Sequence, residues 1–337
     1  MTPGTPAVTK TIRVAGLDLG TNTCLCLIAD VTLSNDGKVV TAMKVLRDEV
    51  RVVRLGQGVN ATRTLHPEAL QRAEEAFKEF SDFIRIAKCD RVLAVATSAA
   101  RDVTNGKALL DLGAKYGIPI EIIRGEKEAE LTFAGAIEPS WSGLTAVIDV
   151  GGGSTELIIG DKDGIRARVS ADVGSVRMTE AFVTKHPIPQ NEIDAITKCV
   201  RDSLSVAKQK MSNPTDGAPA LFGVGQIAEI AKVIGVAGTP TTLAAVDLGH
   251  AFETDLVHGH QFTRAHLEAW TKKLAAMTVE ARSTLAGMEP KRADVIVAGA
   301  ICVTEAMRVL DCNSLTVSVR GLRYGVVQWI STRPHSS

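Results

Sequence analysis

The stretch DLGTNTCLCLI at residues 18–28 returns 131 positions later as DVGGGSTELII at residues 149–159. An acid, a glycine, a hydroxyl residue and two terminal aliphatics fall at equal offsets. Asp18 matches Asp149, Gly20 matches Gly151, Thr23 matches Ser154, and Leu27-Ile28 match Ile158-Ile159. Each copy reads as strand, acidic-glycine turn, strand. Solenoid repeats recur every ~20–50 residues, so a spacing this long marks two duplicated lobes instead of an array. Two such hairpins facing each other enclose a cleft, and with no low-complexity linker between them the hinge is short.

Outward from the first copy, Asn35-Asp36-Gly37 is a hairpin turn leading to a strand at Lys38 to Lys44, with a third strand over Glu49 to Leu55. Leu70, Ala73, Phe77, Phe80 and Ile84 then line one face of a helix from Pro67 to Lys88. Arg91 to Thr97 is a continuous apolar run of the kind covered on both faces. A further helix ends near Gly117, and Pro119 to Ile123 is again a strand. The programme restarts with strands at Thr145 to Asp149, Glu156 to Gly160 and Ile165 to Asp172, followed by helices over Glu180 to Met211 and Ala265 to Ala286. Antiparallel strands that give way to alternating strands and helices define an α/β fold.

The 337 residues carry 38 Lys+Arg and 38 Asp+Glu, a formal net charge of zero. Domains of ~100–200 residues make two lobes the natural division, and 45% hydrophobic with 23% charged residues is an ordinary globular balance. Zero net charge argues against a nucleic-acid coater, which needs excess Lys and Arg. It leaves room for an anionic substrate in a local pocket. No apolar stretch reaches the ~18 residues of a membrane span, and MTPGTPAVTKTIR lacks the features of a secretory signal. Cys24, Cys26, Cys89, Cys199, Cys302 and Cys312 form no CxxC pair and sit in apolar company. The expectation is a reduced, cytoplasmic protein without nucleic-acid or membrane partners.

Glycine-rich turns let backbone N–H groups converge on phosphate oxygens. Gly151, Gly152 and Gly153, with Ser154 and Thr155, form one such turn; Gly20 with Thr21, Asn22 and Thr23 forms the other. Asp18 and Asp149 stand at the strand ends, and Glu156 lies just past the second turn. Carboxylates beside bound phosphate imply an intervening divalent cation, Mg²⁺, held by one or two carboxylates, waters and substrate oxygens. The helix after Gly125 opens with Glu126, Glu128 and Glu130. Acids there complement the helix dipole, and an ionised carboxylate also suits a general base that takes a proton from water. Arg54, Arg101 and Arg320 or Arg323 are candidate cations for the cleft. His258 and His260 lack a further ligand set for zinc. Leu221 to Gln226 and Gly235 to Thr242 are further glycine turns, but neither is a Walker loop, and no GxSxG elbow is present.

DLGTNTCLCLIA, RLGQGV, ATSAARD, GEKEAELTFAGA, DVGGGSTELI, GTPTTLAA, RADVIVAGA and VRGLRYG occur in this order over about residues 12–330. In these motifs the chain resembles the exopolyphosphatase / guanosine pentaphosphate phosphohydrolase (Ppx/GppA) family of the sugar kinase/actin/heat-shock ATPase superfamily, in its short two-domain form. The resemblance implies duplicated actin-like (ribonuclease H-like) lobes with an interdomain cleft: residues 1–126 with 306–337 returning as lobe I, and 127–305 as lobe II. It further implies Mg²⁺-dependent hydrolysis of a terminal phosphate, K⁺ stimulation, a homodimer, and polyphosphate or guanosine penta/tetraphosphate as partner. The family's catalytic glutamate, in an E-A-x-L motif, matches Glu128. Its phosphate loops match Asp18 to Thr23 and Asp149 to Glu156, with Asp149 and Glu156 as metal ligands. Its arginine after A-T-S-A matches Arg101, and Arg54 and Arg323 complete the expected phosphate contacts. Cys24 departs from the hydrophilic or small residue frequent at its position. The third phosphate turn is either Gly223–Gln226 or Gly238–Thr242, the latter favoured. Two other classes share such lobes: an ATP-dependent kinase, which needs an acceptor site and an aspartate base, and a non-catalytic phosphate or alarmone sensor.

Overall fold

Ten consecutive residues, β1 (Lys10–Leu19), run antiparallel to β2 (Thr23–Leu33), which pairs in turn with β3 (Val40–Val52). The computed structural model describes residues 10–138, 141–212 and 230–334. On the other side of β1 lie β4 (Arg91–Ala96) and β5 (Ile120–Ile122), both parallel, giving the order β3-β2-β1-β4-β5. The second sheet repeats the plan. β6 (Thr145–Val150), β7 (Thr155–Asp161) and β8 (Gly164–Ala171) form the antiparallel part. β9 (Lys232–Val236) and β11 (Ser314–Val317) extend it in parallel, with β10 (Gln261–Thr263) at the edge. The matching order β8-β7-β6-β9-β11 makes this the duplicated ribonuclease H-like, actin-like architecture that the resemblance implied.

Period-two patterning decides which way the acids face. Ala15, Leu17 and Leu19 point into a core with Phe77 and Phe80, while Ile12 and Val14 point the other way, onto the helix Leu322–Thr332. Asp18 shares the parity of Val14. In the second sheet Ile148, Val150, Leu157 and Ile159 fill the large core, and Val147 and Ile158 pack under the helix Gly125–Ala136. Asp149 and Glu156 share that parity and are register partners. The two covering helices cross at glycines: a Cβ on Gly325 would overlap the Leu131 carbonyl, and one on Gly135 the Gly321 carbonyl. This close approach brings both helices to the sheet ends where the turns lie.

Three expectations change. The strands expected at Lys38 to Lys44 and Glu49 to Leu55 are one thirteen-residue strand, β3, whose register shifts absorb the irregularity. The long helices expected over 180–211 and 265–286 are each broken, the first into Ser175–Phe182 and Gln190–Ser212 around Pro187 and Pro189, the second into Arg264–Ala275 and Val279–Ser283. The return to lobe I comes later than residue 306, which lies inside the buried helix Ile296–Val309 of the second core. β11 still belongs to the second sheet, and only Leu322–Thr332 packs on the first. The boundary at 126/127 likewise falls inside the helix Gly125–Ala136. All six cysteines are free. Among the described residues no helix is long and apolar enough to cross a membrane.

Candidate active site

Both repeated turns border one cleft of about 440 Å³ between the sheets. They touch: a Cβ on Gly152 would lie 2.9 Å from Thr21 Cβ, and one on Gly153 2.6 Å from Ser98 Oγ. Glycine is required there because the opposite lobe occupies the space a side chain would take.

The hydrogen bonds of the second turn determine its polarity. Gly151 O accepts from Ser175 N (2.9 Å), Gly152 O from Val176 N (2.9 Å) and Arg177 N (3.0 Å), and Gly153 O from Arg177 Nε (2.8 Å). Across a planar trans peptide the carbonyl and the following N–H point in opposite directions. Three carbonyls turned onto the start of the helix Ser175–Phe182 therefore turn the N–H groups of Gly152, Gly153 and Ser154 away from it, as an anion cradle requires. The first turn is anchored by the same device. Thr21 O accepts from Gly56 N (2.8 Å), and Asn22 O from Val53 N and Arg54 N (both 3.0 Å). Two buried donors at the cleft, Asn22 Nδ2 and Arg320 Nε, have no partner among the described residues. Buried polar atoms are nearly always paired, so these donors are available to an acceptor in the cleft.

Asp18, Glu128 and Asp149 all line the cleft and all lie buried or nearly so. Burial, then the charges of Glu128 and Asp149, push Asp18 up to about 8, against the pull of Arg323. Burial and the Glu128 charge raise Asp149 to about 7, although Thr132 Oγ1 donates to it at 3.3 Å. Glu128 is raised by burial and held back by Arg101, whose Nη1 donates to Glu128 Oε2 at 2.7 Å. Arg323 lines the cleft and forks onto Asp48 at 2.7 and 2.6 Å.

Most of the expected phosphate contacts fall on the cleft: Gly20, Thr21, Asn22 and Thr23 from the first turn, and Gly151, Gly152, Gly153 and Ser154 from the second. Four expected residues do not. Arg54 adopts a left-handed φ of 52° to bond Asn22 and reaches across the lobes to Asp294 (3.1 Å) and Lys291 O (2.9 Å). Arg101 sits behind Glu128 and also holds Ile123 O. The Thr155 hydroxyl is buried on Val173 O at 2.6 Å. Glu156 lies beneath Asp149 with Ser170 Oγ at 2.8 Å on its Oε1, and burial with the Glu128 and Asp149 charges pushes it well above the carboxylate range. Spacing alone places residues near a turn without saying which side of a strand faces solvent.

The favoured third turn reaches the cleft through Gly238, Thr241 and Thr242; Gly223–Gln226 lies outside the described residues. Arg292 was missed. Its guanidinium lies against Gly238, where a Cβ would overlap it, and burial lowers its pKa to about 10. It stands fifty residues beyond Thr242, the end of the glycine turn it meets, so only the fold brings it to the cleft. His258 and His260 have separate partners, Glu138 at 2.8 Å and Asp247 at 3.0 Å. Among the described residues no three His, Cys, Asp or Glu side chains are arranged to hold a metal ion.

The chain is 37% identical over 328 residues to Exopolyphosphatase 2 of Mycobacterium tuberculosis, covering 93% of this chain and 97% of that protein. It is 28% identical to the guanosine-5'-triphosphate,3'-diphosphate pyrophosphatase of Vibrio campbellii, covering 93% of this chain but 58% of that longer protein. The crystal structure of an exopolyphosphatase from Cytophaga hutchinsonii superposes with a TM-score of 0.80 at 27% identity, over 95% of this chain and 97% of the other. Residues 31–332 match the Ppx/GppA phosphatase family, and the chain belongs to that family.

Proposed function

We propose that the chain is an exopolyphosphatase that hydrolyses the terminal phosphoanhydride of inorganic polyphosphate with water activated by Glu128. The observation that carries this reading is the pairing of two anion cradles with a single Arg101-held carboxylate in one cleft. The full-length similarity to an exopolyphosphatase supports it.

The terminal phosphate lies between the turns, held by the N–H groups of Gly152, Gly153 and Ser154 and by the hydroxyls of Thr21 and Thr23. Arg101 favours the ionised form of Glu128, and the cleft gives that carboxylate a water to deprotonate. The oxygen of that water forms a bond to the terminal phosphorus as the bridging P–O bond breaks. The water's proton passes to Glu128, and orthophosphate and a chain one unit shorter leave. Arg323, Arg292 and the cradle amides offset charge on the transferring group. Phosphoryl transfer relies on positioning and electrostatics, so no protein nucleophile is needed.

Mg²⁺ fits this donor set. Asp18 and Asp149 face one cavity, and the Asp149 charge helps raise Asp18, a repulsion a divalent cation relieves, and waters with phosphate oxygens complete its shell. Asp149 and Asp18 would hold it, with Glu156 buttressing Asp149 from below. When bound, it supplies charge neutralisation of the phosphate chain. K⁺ stimulation, a homodimer and a cytoplasmic location remain part of the reading.

A second substrate, guanosine pentaphosphate, is favoured by half-exposed Phe252, which lines the cleft and offers a face on which a base can stack. Phosphate release from long-chain polyphosphate and from guanosine pentaphosphate, with and without Mg²⁺, tests both. Equal rates mark a bifunctional enzyme. Binding without release marks a sensor, and a phosphorylated acceptor formed from ATP marks a kinase.

A further inference from the structure

Arg177 stands at the third position of the helix Ser175–Phe182 and does not line the catalytic cleft. A cation in the first turn of a helix runs against the helix dipole, so its placement has a cost that some interaction must offset. Two such interactions lie among the described residues. Its Nε donates to Gly153 O at 2.8 Å, and its Nη2 donates to Asp102 Oδ2 at 3.1 Å. Gly153 belongs to the cradle of the second lobe. Asp102 belongs to the first lobe and follows Arg101, the residue paired with Glu128. One guanidinium thus joins the phosphate loop to the segment that holds the base, across the lobe boundary. The bond to Gly153 also has a directional consequence. Holding that carbonyl against the helix turns the Ser154 N–H the opposite way, whereas a free Gly153–Ser154 peptide is able to rotate its carbonyl inward and oppose an anion.

We propose that Arg177 is a positioning residue that keeps the Gly153–Ser154 peptide in its anion-accepting orientation and, through Asp102, sets that loop against the Arg101–Glu128 pair. The inference rests on the phosphohydrolase reading for its catalytic consequence, but not for its effect on anion binding.

The test compares full-length parent with Arg177→Ala, Arg177→Lys and Asp102→Asn, reading both tripolyphosphate binding by calorimetry and phosphate release from polyphosphate. For Arg177→Ala the dissociation constant rises ~10-fold or more and kcat falls by about 10²-fold, the scale of losing one preorganised donor. Arg177→Lys stays impaired in both, because an ammonium lacks the fork that spans two acceptors. Free guanidinium ion restores part of the Arg177→Ala activity. Asp102→Asn raises KM more than it lowers kcat, since the loop bond survives. A purely structural role would reduce the fraction of folded protein without changing the affinity of that fraction. Tripolyphosphate affinity and kcat within twofold of parent in Arg177→Ala overturn the proposal; if that variant does not fold, the same result in Arg177→Lys does so. If the parent releases no phosphate from either substrate, the function above falls, and the binding arm alone decides the role of Arg177.

Discussion

The two halves of the cleft share a backbone and differ in charge. Each lobe ends an antiparallel pair in an acid and a turn, anchors the turn carbonyls to a neighbouring segment, and covers the acid with one helix. In the first lobe the covering helix brings a cation, Arg323, toward Asp18, and the register partner of Asp18 is the aliphatic Leu25. In the second lobe the covering helix brings Glu128 and Thr132 over Asp149, and the register partner is Glu156. Leu25 and Glu156 occupy the same place in the duplicated motif. The first lobe therefore sets a cation toward its acid, and the second sets further acids around its own. Duplication supplies the matched backbone; substitution at a few inward positions divides the labour.

That asymmetry breaks most sharply at Glu128. Glu128→Gln is expected to lower kcat by ~10³-fold or more, within the range for a lost general base, while tripolyphosphate binding survives. Near-normal release would remove Glu128 from the chemistry and make the lobes equivalent. Next comes the buried fork between Arg323 and Asp48, 11% and 19% exposed. Arg323→Ala leaves a buried carboxylate without its partner and is expected to cost about 3 kcal/mol in a denaturant titration. Loss of the same charge should also move Asp18 still higher.

The clustered acids set the pH response. Asp149 at about 7 and Asp18 at about 8 lie above the usual carboxylate value of 3.8. Between that value and 7 to 8 the folded state binds more protons than the unfolded one, so stability falls as pH rises through this window. With chelator present, the melting temperature is expected to drop by about 5 °C or more from pH 5 to pH 8. Asp149→Asn should flatten the drop and raise the melting temperature at pH 8 while abolishing turnover. An unchanged profile in that variant would mean the acids do not share one cavity. The smallest effect belongs to the interlobe pair Arg54–Asp294, 38% and 29% exposed. Asp294→Ala should cost under about 1 kcal/mol, with kcat unchanged within twofold.

The acidic-glycine turns were legible because their spacing and glycine content follow from local backbone requirements. The E-A-x-L motif likewise pointed to Glu128, which the fold places at the cleft. Arg54, Arg101, Thr155 and Glu156 were assigned to the right neighbourhood, but their partners hold them off the cleft surface: Asp294 for Arg54, Glu128 for Arg101, Val173 O for Thr155 and Ser170 for Glu156. Arg177 carried no local signal at all, whereas Arg292 heads the RADVIVAGA motif and Arg320 lies in VRGLRYG, and neither motif says what its guanidinium meets. A guanidinium's role depends on which carbonyl or anion lies at the end of its six-ångström reach, roughly the length of an extended side chain.

By itself the sequence determined the duplicated lobes, the two glycine turns and the acids at their strand ends, because hydrophobic period and turn chemistry act over a few neighbouring residues. Only the tertiary structure decided which acid meets a cation and which meets another acid, how late the chain returns to its first sheet, and which arginine orients the phosphate loop. Those outcomes depend on contacts between residues tens to hundreds of positions apart, and no local pattern encodes them.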